Sequence, residues 1–200
     1  MKAAYPDWQV TLDASDTEAE AVLSQDRVWN CFALADLLPP FREYSQIAIA
    51  RQADATDCAA CLVLRHPALT VVIPYGVPAG VAAILARLDL PAQALLQAQE
   101  AHLPLLQQYY RFSPGQRVLL RMAVSAATFL PPEPAPGVQP ELLSPADLTV
   151  LQALYAHFPE THFRADQLEY GVFYGVRSGG KVVAVGGTHV VASAHGLAVL

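Results

Sequence analysis

Thr188 and His189, directly after Gly186-Gly187, combine residue types that can move a proton and hold a polar group. An imidazole titrates near neutrality, so His189 suits a general base or a hydrogen-bond partner for a substrate. Two successive glycines in a strand permit a bulge or a close approach of another group to the backbone. Tyr170 and Tyr174 come shortly before and can line an acceptor pocket. The plainer uses are a strand histidine satisfied by a neighbour and two tyrosines packed at a sheet edge.

Three further groupings invite chemistry and fall short of it. Cys58-Ala59-Ala60-Cys61 has the interval of a redox pair or half a zinc site. No second cysteine pair follows, and Cys61 leads into Leu62-Val63-Leu64, so both thiols are read as structural. The run His157-Phe158-Pro159-Glu160-Thr161-His162 offers two imidazoles and a carboxylate, but Pro159 breaks the helix that would aim them at one ion. No metal is expected. Ser178-Gly179-Gly180 has too few glycines, and no helix after it, for a phosphate cradle; it is a hairpin turn.

The elements that must position these residues follow from periodicity. Ser15 and Glu18 have capping-box spacing ahead of a helix over 16–24. A second helix from Asp26 puts Val28, Cys31, Phe32 and Ala35 on one stripe and ends at Pro39-Pro40. Residues 45–51, 59–65 and 69–75 read as a three-strand antiparallel meander, with 53–57 and His66-Pro67 as its turns. Pro78 opens a helix with Val81, Ile84, Leu85 and Leu88 on one face, and Pro91 follows it. A strand over 92–99, a helix over 103–112, a turn at Pro114-Gly115 and a strand with Val118, Leu120, Met122 and Val124 alternating come next.

Pro131, Pro132, Pro134, Pro136 and Pro140 mark 130–140 as a linker between domains at 1–129 and 141–200. Beyond it, Val138 to Leu142 makes a short strand. Ser144-Pro145-Ala146-Asp147 starts a helix with Leu148, Leu151, Leu154, Tyr155 and Phe158 inward, and Phe163 to Tyr170 adds a short helix stopped by Gly171. Two strands and the start of a third close the chain. Leu197 to Leu200 carries no strand-ending signal, so the natural sequence is expected to continue.

At 54% hydrophobic and 15% charged residues, the chain has ample core material. Its net charge of −6 and scattered basic residues argue against nucleic acid and against an anionic membrane surface as partners. MKAAYPDWQV has no apolar signal run, and three cysteines fit a reducing compartment, so a cytoplasmic location is expected. A C-terminal piece of about 60 residues is marginal alone; it must pack on the first domain, form a homodimer or continue.

The order strand, helix, short helix, Tyr170-Gly171-Val172-Phe173-Tyr174-Gly175-Val176-Arg177, turn, Lys181 to Val191, then a third strand resembles the first half of a GNAT-type N-acetyltransferase domain. The first 129 residues, including Ala33-Leu34-Ala35-Asp36-Leu37, are similar to the auxiliary GNAT-like half of some members. The resemblance implies an α/β (α+β) fold of mixed, mostly antiparallel sheets flanked by helices, in two GNAT-like units. It also implies acetyl-CoA as co-substrate and a small amine or amino-acid-like acceptor, for which Thr188, His189, Tyr174 and Tyr170 are the candidate substrate-side groups. In that family an Arg/Gln-x-x-Gly-x-Gly/Ala loop after the third strand holds the pyrophosphate. The chain lacks this loop, so no acetyl-CoA contact or catalytic role goes to a numbered residue. The alternative is a non-catalytic binding or assembly module derived from such a protein.

Overall fold

The computed structural model describes residues 5, 7–52, 57–114, 118–133, 135–158, 161 and 163–200. The fold is mixed α/β with mostly antiparallel sheets flanked by helices, and it divides into two compact units, Met1–Arg121 and Met122–Leu200. The division falls ahead of the Pro-rich stretch at 130–140, which lies within the second unit.

In the first unit, β1 (Trp8–Thr11), β2 (Ser45–Gln52), β3 (Cys58–His66), β4 (Leu69–Gly76) and β5 (Leu95–Leu96) form one sheet in that order. The β2-β3-β4 meander is antiparallel as expected, while β5 pairs parallel to β4 through Val71 with Leu95 and Val72 with Leu96. That parallel pairing requires the crossover that α3 (Pro78–Leu85) provides. β1 carried no clear signal in the sequence, and the strand expected over 92–99 shrinks to two residues.

Both faces of this sheet are covered. Ala48, Ala50, Ala59, Cys61, Val63 and Val72 pack with Val81, Ile84 and Leu85 of α3. The alternate residues Ile47, Ile49, Leu62 and Ile73 are buried too, on the side of α1 (Asp16–Leu23). Double coverage explains why β2 to β4 read as nearly continuous apolar runs. Ser15 caps α1: its hydroxyl accepts from the Glu18 N–H, and Glu18 accepts from the Ser15 N–H.

Strand alternation also settles the cysteine pair. Cys58 and Cys61 stand three apart on β3, so their side chains leave opposite faces and cannot converge. Cys31, Cys58 and Cys61 are all buried and free, and burial pushes the Cys61 thiol up to about 12.

Several expectations shorten. The helix expected from Asp26 is α2 (Cys31–Asp36); the Asp26 carboxylate instead accepts from the Trp29 N–H at 2.9 Å, and Val28 is exposed rather than on a buried stripe. The helix expected over 103–112 is α4 (Leu103–Leu106). The strand expected around 118–124 is absent: Val118, Leu120 and Met122 are 95%, 85% and 88% exposed. Alternation cannot reveal whether a sheet edge exists to receive a strand, and among the described residues none pairs here. Arg121, in the middle, lies over the rings of Trp29 and Phe32 at 4.4 and 5.2 Å and donates to the Trp29 carbonyl. Positions 53–56, Gly115, Arg117 and Pro134 lie outside the described residues.

In the second unit, β6 (Pro140–Leu142), β7 (Phe173–Ser178) and β8 (Lys181–Gly187) form an antiparallel sheet, and β9 (Val190–Ala192) pairs with β10 (Leu197–Val199). Gly179 and Gly180 both take positive φ in the two-residue β7-β8 turn, as a tight hairpin demands. Ser144 and Asp147 complete a second capping box ahead of α5 (Leu148–Tyr155). Here one sheet face is covered, by a small core of Leu143, Leu151, Leu168 and Phe173. A bulge beside Val176 and Arg177 leaves Val183 as the extra, exposed residue and turns Val182 inward. Phe158, expected inward on α5, is exposed.

Candidate functional site

The second unit gathers polar side chains around Gln167, the first residue of α6 (Gln167–Tyr170). This helix is shorter than the expected 163–170, because the N–H of Arg164 is taken by the Gln167 side chain at 2.9 Å. Gln167 is only 2% exposed. Its amide Nε2 donates to the His189 carbonyl at 2.9 Å and lies 3.2 Å from His189 Nδ1. A buried amide of this kind must have its hydrogen bonds met, and these three meet them.

Arg164 forks onto Asp166, with Nε and Nη2 each donating at 3.0 Å, and Nη2 also donates to the Tyr170 hydroxyl at 2.7 Å. Burial alone would lower the Arg164 guanidinium, but the hydrogen bonds and charges of Asp166 and Tyr170 raise it above its ordinary value. Burial pushes the Tyr170 phenol up, and Arg164 opposes that rise. Arg164 therefore stays a cation and Tyr170 a neutral phenol throughout the physiological range.

Thr188 is buried, and its hydroxyl accepts from the Val172 N–H at 2.8 Å. Gly171 makes that approach possible, since a Cβ there would come within 2.5 Å of the hydroxyl. Gly187 serves the aromatic side of the same region. A Cβ there would lie 2.2 Å from the Phe173 ring, itself in edge contact with Phe163, which stacks on Tyr155 at 4.5 Å. Of the two uses open to Gly186-Gly187, close approach is the one adopted, at Gly187 alone.

Three of the four residues singled out in the sequence, Tyr170, Thr188 and His189, thus lie at one junction, with His189 and Tyr170 linked through Gln167 and Arg164. Tyr174 does not join them. It stands opposite Leu142 and Gly186 on the sheet face away from Phe173 and is 50% exposed. Gln167 and Arg164 carried no signal in the sequence that set them apart from the rest of a short helical stretch. Chemically, the junction offers a neutral phenol, an imidazole hydrogen-bonded to a buried amide and a half-buried cation.

His157 is exposed, while Glu160 and His162 of the histidine-rich run lie outside the described residues. Among the described residues, no three His, Cys, Asp or Glu side chains come together in a way that could hold an ion, and no helix is long and apolar enough to cross a membrane. No family model matches the chain, and no curated protein or solved structure matches it either.

Proposed function

We propose that the chain belongs to a GNAT-type N-acetyltransferase acting in the cytoplasm on a small amine or amino-acid-like acceptor. The observation that carries this reading is element order. Strand, two helices and three antiparallel strands occur in the first unit as β1, α1, α2, β2, β3, β4 and begin again in the second as β6, α5, α6, β7, β8. The first unit then runs on through α3 to a strand parallel to β4. In the reaction, the acceptor nitrogen attacks the acetyl-CoA carbonyl carbon, the C–S bond breaks, the amine loses a proton and the thiolate gains one. Tyr170, Thr188 and His189 are the groups proposed for the acceptor side.

A second reading, a binding or assembly module, draws on the β4-α3 connection. Tyr75-Gly76-Val77-Pro78-Ala79-Gly80 has neither Arg nor Gln at its start, and Pro78 offers no N–H to a phosphate. Gly80 packs where a Cβ would lie 2.7 Å from the Trp8 ring. Fully buried His102 donates through Nε2 to the Gly76 carbonyl at 2.9 Å. The end of β4 is thus closed by the chain's own side chains. Calorimetric titration of acetyl-CoA and of CoA, sensitive to dissociation constants of about 1 mM or roughly −4 kcal/mol, separates the two. Saturable binding of both would support the transferase reading, with the pyrophosphate held by residues other than the expected loop; a folded protein giving no heat would favour the module or a transferase whose pyrophosphate loop this chain lacks.

A further inference from the structure

We infer that Gln167 is a positioning residue that fixes the tautomer of His189, placing the ring proton on Nε2. The Arg164 N–H is a donor, so the Gln167 atom 2.9 Å from it is the carbonyl Oε1. The other terminal atom is therefore the NH2 group, which agrees with its 2.9 Å contact to the His189 carbonyl, an obligate acceptor. An NH2 group has no lone pair to offer. The His189 Nδ1 atom 3.2 Å away must then be the accepting, unprotonated nitrogen, and the neutral ring carries its hydrogen on Nε2. Because Gln167 is buried and both its ends are committed, it cannot flip to reverse this pattern without losing its bonds to the Arg164 N–H and the His189 carbonyl.

The consequence is chemical. The lone pair of His189 faces Gln167, so through Nε2 the neutral ring acts as a hydrogen-bond donor, not as a base. Of the two uses open to His189 in the sequence, this geometry selects the hydrogen-bond partner. The inference does not depend on acyl transfer, since every bond in it lies within the chain.

Nitrogen-15 NMR of the imidazole above neutral pH reads the tautomer directly, because protonated and unprotonated ring nitrogens have well-separated shifts. The wild-type chain should show His189 in a single Nε2–H form. In Gln167→Leu the ring should relax to a mixture. In Gln167→Glu, which keeps the shape and the acceptor for Arg164 but presents an oxygen to Nδ1, the proton should move onto Nδ1. A wild-type ring that is mixed or protonated on Nδ1 overturns the inference, as does a folded Gln167→Glu protein with an unchanged pattern. Should Gln167→Leu fail to fold, the wild-type and Gln167→Glu spectra still decide it.

Discussion

The two units start from similar element orders and bury their sheets differently. In the first, β2, β3 and β4 lie between helices, and every residue from Cys58 to Leu64 is buried. In the second, β7 alternates Phe173 inward and Tyr174 outward over a core of four buried residues. A sheet covered on both faces must be apolar throughout and leaves little room for polar side chains; a sheet covered on one face can end in them. The polar cluster around Gln167 accordingly sits in the unit with the smaller core.

The largest expected effect breaks this comparison if it fails. Leu151, fully buried, is a large share of the second core, and Leu151→Ala should cost about 3 kcal/mol. Amide hydrogen exchange should then show β7 and β8 losing protection while β2 to β4 keep theirs. Loss of protection in both units would mean that the cores are not separate. A middle effect sharpens it: Gly187→Ala drives a methyl into the Phe173 ring and should cost roughly 1–3 kcal/mol, whereas Gly186→Ala meets nothing within 4 Å and should be near neutral. Equal thermal midpoints for the two variants would refute the close approach at Gly187.

The smallest effect concerns charge. The Ser144 N–H, with help from Arg177, holds the Asp147 carboxyl below its ordinary range, against a burial effect of opposite sign. A carboxylate whose folded value is depressed adds stability that is complete above its unfolded value, about 3.9, and is lost as pH falls through the folded value. Asp147→Asn should therefore be less stable than wild type at pH 7, with the gap closing below about pH 4 in denaturant melts. A gap that persists at pH 2 would show that Asp147 acts by packing, not charge.

Much of the fold was legible because its signals are local. The β2-β3-β4 meander, the Ser15 and Ser144 caps, Pro78 at the head of α3 and the Gly179-Gly180 turn each follow from a few adjacent residues. What was hidden depends on partners distant in sequence. Val118 to Val124 alternates like a strand yet pairs with none among the described residues, β1 is four residues recruited by β2, and the helix over 103–112 contracts to one turn beside buried His102. At the candidate site, His189, Thr188 and Tyr170 were visible as reactive types near glycines. Gln167 was not, because a glutamine announces neither burial nor direction until its neighbours are in place.

All three cysteines lie in the first unit, and none occurs after Cys61. Burial pushes the Cys61 thiol up to about 12, so it stays protonated at neutral pH. Cys61 therefore serves as a built-in clock: wholly buried, it meets an alkylating reagent only when the first unit opens, so the rate at which that one site is modified times the opening. The second unit, having no thiol, is silent in the same assay.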